Sequence, residues 1–145
     1  MSGFKLPEID PETGLTPVIS MEQIKDICIH FGLHDVWEKI KADTPIRPFR
    51  SDGPSCFPRY VDCPIATGVL KTIDLFPAAF LHDLKYWCGH KGEEVDRFLA
   101  DLDLARDVVV LCGGSTFLAW AMLSAVRIGG RDDMDTSWRW GFGRP

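Results

Sequence analysis

Several features that would place a protein in a broad class are missing from this chain. No stretch of it approaches the ~20 consecutive apolar residues of a membrane-spanning helix, so we expect no transmembrane segment and at most peripheral membrane contact. Basic residues are few, because 16 Lys and Arg stand against 21 Asp and Glu and give a net charge of −5. Binding to a phosphate backbone needs a basic patch, so we expect no nucleic-acid partner.

The amino terminus lacks the basic start and apolar stretch of a secretory signal peptide. We therefore expect a cytoplasmic protein by default, and export would need a route without such a signal. The five cysteines are odd in number and form no Cys-x-x-Cys pair. This pattern favours reduced thiols that serve as small buried hydrophobes over a disulfide framework or a zinc site.

The sequence does contain signals for helices. Its 145 residues have a hydrophobic content of 46%, and a chain of this size can form a core without disulfides. Ser20 and Gln23 have the spacing of a capping box and predict the start of a helix. Gly32 interrupts the apolar stripe that follows, so we expect a break before a second short helix. Pro77 and Gly89 predict the first turn and the end of a later helix.

From these signals we predict a mainly α fold: a small helical domain with an antiparallel helix pair and a Pro-rich loop. The next helix after Gly89 is expected to run from Glu93 to Ala105. We expect a single domain that covers residues 1–145. Three parts of this domain should not be regular helix. These parts are an extended amino-terminal segment (1–18), a Pro-rich site loop (44–64) and an aromatic tail (131–145).

The central predicted helix carries several chemically capable side chains. His82 and Tyr86 are four residues apart and share a face, whereas Asp83 points about 100° away. The chain turns after this helix, so Asp96 on the next one can lie opposite His82. A carboxylate in that position fixes one imidazole tautomer and leaves the other nitrogen as a base.

Asp83 is directed toward a different partner. The Asp52-Gly53 turn of the Pro-rich loop offers a carboxylate and backbone carbonyls. Together with Asp83 these oxygens suit calcium, a hard cation that prefers oxygen ligands. The sequence therefore predicts a cation site beside a general base.

These residues carry a resemblance to a known family. His82-Asp83-x-x-Tyr86, followed by Asp96 and preceded by Asp52-Gly53 in a Gly/Pro loop, resembles the phospholipase A2 superfamily over roughly residues 49 to 104. Further segments look like a group of small uncharacterised bacterial proteins that share this core. They are Phe49–Ser55, Ala125–Gly130 and Trp138–Gly143.

The resemblance implies calcium-assisted hydrolysis of a phospholipid or another ester. His82 would be the general base that activates water, Asp96 would orient it, and Tyr86 would join the same hydrogen-bond network. Asp83 would bind calcium, and a backbone N–H such as that of Gly53 would help to stabilise the oxyanion. The implied metal ligands are Asp83 and oxygens around Asp52, Gly53 and Ser55.

Two alternatives stay open at this point. Pro54 removes a backbone donor from the loop, and the family's usual cysteines are missing beside the His-Asp pair, so the chain is alternatively an inactive phospholipase A2-like scaffold that acts as an interaction protein. The second alternative is a metal-dependent HD-type phosphohydrolase. Its metal ligands would be His30, His34, Asp35 and Asp96.

Overall fold

The computed structural model describes residues 4–54, 57–65, 67–134 and 136–145. Within those ranges the chain forms five helices and two strands. In chain order they are α1 (Met21–His30), α2 (His34–Ala42), β1 (Tyr60–Pro64), β2 (Leu70–Asp74), α3 (Phe76–Trp87), α4 (Glu94–Leu111) and α5 (Phe117–Gly129).

The expected mainly α fold is wrong, because β1 and β2 pair as an antiparallel sheet and make the architecture mixed, although most of its regular structure is helical. Tyr60 pairs with Asp74, and Pro64 with Leu70. β1 occupies the end of the predicted loop 44–64. Its inward residues alternate with exposed ones over only five positions, and Pro64 stands at the last of them, where it removes no interior ladder bond.

α3 lies at the centre of the molecule. It begins one residue before Pro77, ends two residues before Gly89, and nine of its twelve residues are buried. One side contributes Ala78 to an apolar cluster with α4, α5 and the hairpin. The other side packs Phe80 and neighbouring rings against α1. A fully buried large apolar side chain contributes about 1.5–3 kcal/mol, so this helix is held firmly from two directions.

The aromatic tail packs against the end of α3. Trp140 is buried, and its indole Nε1 donates a hydrogen bond to the carbonyl of His90 at 2.8 Å. Gly130 lies where a Cβ would come within 2.6 Å of the Tyr86 ring. The ring of Tyr86 is therefore fixed between α4 and the chain that follows α5.

Two further expectations are decided by the structure. Cys28, Cys63, Cys88 and Cys112 are buried free thiols, as the cysteine pattern predicted, and Cys56 lies outside the described residues. Every helix in the described ranges is too short or too polar to span a lipid bilayer.

Candidate functional site

The Pro-rich loop is tied to the extended amino-terminal segment where it approaches α3. The N–H of Thr16 donates to the carbonyl of Ser51 at 2.9 Å, and the N–H of Ser51 donates to Thr16 Oγ1 at 3.0 Å. Both residues are completely buried. This pairing fixes the loop one residue before Asp52.

Asp83 meets this loop, as the sequence predicted for its direction. The hydroxyl of Ser51 donates to Asp83 Oδ2 at 2.6 Å, and the N–H of Gly53 donates to the same hydroxyl at 3.0 Å. Gly53 has φ +71°, a backbone conformation that glycine adopts without strain. Because Ser51 holds the N–H of Gly53, that group is not an available oxyanion donor in this arrangement.

The Asp83 carboxyl is in an electrostatically unfavourable place. Burial raises its pKa well above the ordinary value, and the neighbouring Asp52 carboxylate raises it further, against the lowering effect of the Ser51 hydrogen bond. In the described part of the chain, no lysine or arginine forms an ion pair with Asp83. The buried Asp83 carboxyl interacts with the half-buried Asp52 carboxyl, and a proton or a bound cation would relieve their repulsion.

The oxygens found here are of the kind that calcium prefers. They are the carboxyl oxygens of Asp83 and Asp52 and the hydroxyl of Ser51. The described residues contain no group of three or more His, Cys, Asp or Glu side chains arranged for a metal. A calcium ion would therefore depend on Asp52, Asp83, the Gly53 carbonyl and water. Ser55, the remaining ligand predicted from the sequence, lies outside the described residues.

His82 is paired with Asp101 on α4. The distance between His82 Nε2 and Asp101 Oδ1 is 2.8 Å, and the hydroxyl of Tyr86 donates to the same oxygen at 2.5 Å. The rings of His82 and Tyr86 lie 4.2 Å apart. His82 and Tyr86 thus share one carboxylate, as expected for residues on one helical face.

The structure places Asp101 where we predicted Asp96. The two residues are five positions apart on α4, so they point about 140° away from each other around the helix. Asp96 is exposed and pairs with Lys39 of α2 at 3.4 Å. It therefore lies on the α2 side of α4 and does not orient His82.

The charge state of His82 follows from its surroundings. Burial lowers its pKa below the ordinary value, and Asp101 opposes this effect by stabilising the imidazolium. Asp101 accepts a hydrogen bond from Arg127 at 2.7 Å and lies 3.7 Å from Arg97, so it faces Nε2 as an acceptor. Nε2 must then carry the proton of the neutral imidazole, and Nδ1 keeps its lone pair.

A narrow cleft reaches both halves of the site. His82 and Asp83 both line it, and its volume is about 30 Å³, room for about one or two water molecules. Most of its wall is apolar. The lining residues beyond the pair are Gly53, Pro54, Phe57, Ala79, Leu104, Met122, Val126 and Trp138.

The residues of the HD-type alternative are not assembled into a metal site. His30 stacks on Phe4 with ring centroids 4.1 Å apart. His34, Asp35 and Asp96 line a separate cavity of about 430 Å³ that does not include His82. Within the described ranges these side chains form no cluster that could hold a metal.

Sequence reasoning missed three residues of the site. Ser51 stands next to Asp52 in the loop, and a hydroxyl beside a proposed carboxylate ligand is a usable signal. Asp101 is one of several acidic residues of α4, and the sequence does not say which one faces α3. Arg127 follows a long uncharged stretch in the chain, and its role depends on the packing of α5 against α4.

Comparisons of this chain with protein-family models, with curated proteins and with solved structures gave no match.

Proposed function

We propose that this protein is a calcium-assisted ester hydrolase of the phospholipase A2 type. The observation that carries the proposal is one cleft that joins a carboxylate-paired histidine, His82, to a buried acidic corner at Asp83. Either half alone has a structural explanation, as a satisfied core histidine or as a buried carboxyl. Together at one cleft they provide a base for water and a place for positive charge beside an ester.

His82 is the general base in this proposal. Its Nε2–H is held by Asp101, so Nδ1 accepts a proton from a water molecule that attacks the ester carbonyl. Asp101 then stabilises the imidazolium that forms. Tyr86 donates to the same carboxylate oxygen and keeps it from rotating. His82 returns the proton to the departing alkoxide oxygen, which restores the neutral imidazole.

Asp52, Asp83 and the Gly53 carbonyl would hold the calcium ion. When bound, calcium supplies a positive charge that polarises the ester carbonyl and neutralises the developing oxyanion. Ser51 keeps one oxygen of Asp83 fixed and so sets the direction of the other. The apolar wall of the cleft excludes bulk water from the reacting atoms.

A lipid substrate is supported by an uncharged end of the molecule. The sequence has no charged residue from Val108 to Val126, and within that stretch Phe117 and Trp120 are 79% and 66% exposed. The hairpin contacts the same uncharged stretch, because a Cβ at Gly113 would lie 3.2 Å from Ile65. Exposed apolar surface with tryptophan at its edge is typical of contact with a lipid aggregate.

The proposed activity is tested by following fatty-acid release from phosphatidylcholine vesicles. We expect release in millimolar calcium and its loss after addition of a chelator, with recovery when calcium is restored. Magnesium at the same concentration is the matched control, because it dehydrates reluctantly and demands octahedral geometry. If neither ion supports release and calorimetry detects no calcium binding, the chain is an inactive scaffold and the proposal is wrong.

Removal of the exposed rings should weaken binding to vesicles. In the double variant Phe117→Ser and Trp120→Ser we expect at least about a tenfold lower vesicle partition coefficient, because each buried apolar side chain contributes about 1.5–3 kcal/mol. Sedimentation with sucrose-loaded vesicles measures the coefficient. Ile29→Ser on α1 is the matched control, since Ile29 is 66% exposed but lies elsewhere. Equal losses in both proteins would contradict the proposed surface.

A further inference from the structure

Asp101 is a completely buried carboxylate whose two oxygens have different partners. Oδ1 accepts hydrogen bonds from His82 and Tyr86. Oδ2 accepts one from Nη1 of Arg127 at 2.7 Å. The direction of the carboxylate plane therefore depends on both sets of contacts.

Arg127 is itself fixed by contacts on three sides. Its Nη2 donates to Glu94 Oε1, and its guanidinium lies 5.2 Å from the centroid of the Phe98 ring. Arg127 lies in the last turn of α5, and 27% of its side chain is exposed. A planar guanidinium with two carboxylate partners has little freedom to rotate.

The other nearby arginine serves a different purpose. Arg97 is buried, and Nη1 donates to the carbonyls of Val126 at 3.2 Å and of Arg127 at 3.4 Å, at the end of α5. Its distance to Asp101 Oδ2 is 3.7 Å, too long for a hydrogen bond. Arg97 thus fastens α5 to α4, while Arg127 makes the direct contact with Asp101.

We propose that Arg127 is a positioning residue for His82: by holding Oδ2 of Asp101, it fixes the carboxylate plane and keeps the imidazole proton on Nε2. Without Arg127, Oδ2 of a buried carboxylate would face only the more distant Arg97 among the described side chains. The carboxylate would then turn toward Arg97 and lose its alignment with Nε2. The link to catalysis rests on the proposed function, whereas the effect on the imidazole does not.

The test measures the tautomer of His82 directly. Long-range ¹H–¹⁵N correlation spectra at about pH 8, above the ordinary histidine pKa of about 6.5, distinguish Nε2–H from Nδ1–H in the neutral ring. We expect Nε2–H alone in the wild type, and a fraction of Nδ1–H on the order of one molecule in ten or more in Arg127→Gln. Arg127→Lys keeps a cation near Oδ2 and should largely retain Nε2–H.

The control is Arg106→Gln, which removes the same charge from an exposed position on α4 and should leave the tautomer unchanged. A folded Arg127→Gln protein with the wild-type tautomer would overturn the proposal. If neither Arg127 variant folds, the exchange rate of the Arg127 guanidinium protons in the wild type tests the proposal. A firm hydrogen bond to Asp101 slows this exchange, and exchange as fast as that of an exposed arginine would contradict the proposal.

Hydrolysis provides a second and separable readout. Where the wild type hydrolyses ester, Arg127→Gln should lower kcat by about tenfold or more with KM within twofold, since Arg127 acts through the base and not on the substrate. Wild-type protein without activity would remove the proposed function. The tautomer result would stand by itself in that case.

Discussion

Replacement of His82 with asparagine is expected to lower ester hydrolysis by about 10²- to 10⁴-fold, the contribution of a positioned general base. Asparagine can still donate a hydrogen bond to Asp101, so the buried carboxylate keeps a partner. It has no nitrogen that accepts a proton from water at neutral pH. Initial rates of fatty-acid release at saturating vesicle concentration measure the effect.

Two aspartates of α4 provide the matched comparison for this result. Asp101→Asn should also reduce hydrolysis strongly, because an amide cannot stabilise the imidazolium that His82 becomes. Asp96→Asn makes the same chemical change on the same helix, at an exposed residue that pairs with Lys39. It should retain nearly full activity. Loss of activity in Asp96→Asn with retention in Asp101→Asn would reverse our assignment of the orienting carboxylate.

Replacement of Asp83 with asparagine should have two opposite effects. It should abolish calcium binding measured by isothermal titration calorimetry, because the site loses its buried carboxylate. It should also raise the free energy of unfolding in chelator, by about 1 kcal/mol or more at neutral pH, because a buried carboxyl beside a second one is unfavourable when ionised. Urea denaturation in chelator measures the second effect.

The pH dependence of this second effect has a definite sign. The pKa of Asp83 is raised in the folded protein above its ordinary value of 3.8. Between 3.8 and the raised pKa, the unfolded chain has released the proton while the folded chain retains it, so stability falls as pH rises. The difference in stability between Asp83→Asn and wild type should therefore widen from pH 4 upward. Contributions from other groups, including His82, are common to both proteins and largely cancel.

Calcium should reverse the order of stability. Wild-type protein in calcium at ~100 times its Kd gains about 2.7 kcal/mol from binding, whereas Asp83→Asn gains nothing. Asp26→Asn on α1 is the control, because it removes one exposed charge and should show the wild-type response. An Asp83→Asn protein that is less stable than wild type in chelator would show that the folded site tolerates this charge.

Local signals in the sequence predicted most helix boundaries. Ser20 accepts a hydrogen bond from the N–H of Gln23 at 3.1 Å and completes the predicted capping box. α1 and α2 are separated at Gly32, and Pro77 lies in the first turn of α3, as expected. These features depend on residues within one or two turns of each other, so the sequence contains the information needed.

Features that depend on packing between helices could not be predicted from local sequence signals. The helix after Gly89 was expected to end at Ala105, but α4 continues to Leu111, and its Val108 is buried in the cluster that α4 forms with α5 and the hairpin. α5 begins at Phe117 without a side-chain cap, so no capping residue marks its start in the sequence. The choice of Asp101 over Asp96 depends on how α4 rotates about its axis, which α3 and α5 decide together.

Substitution should be poorly tolerated at some positions that carry no functional side chain. A side chain at Gly130 would collide with the ring of Tyr86, and one at Gly89 would collide with Trp140. Tyr86 and His82 bond the same oxygen of Asp101, so a methyl group at residue 130 would affect the imidazole through Tyr86 and Asp101. The absence of a side chain at Gly130 is thus as much a requirement of this arrangement as the presence of His82.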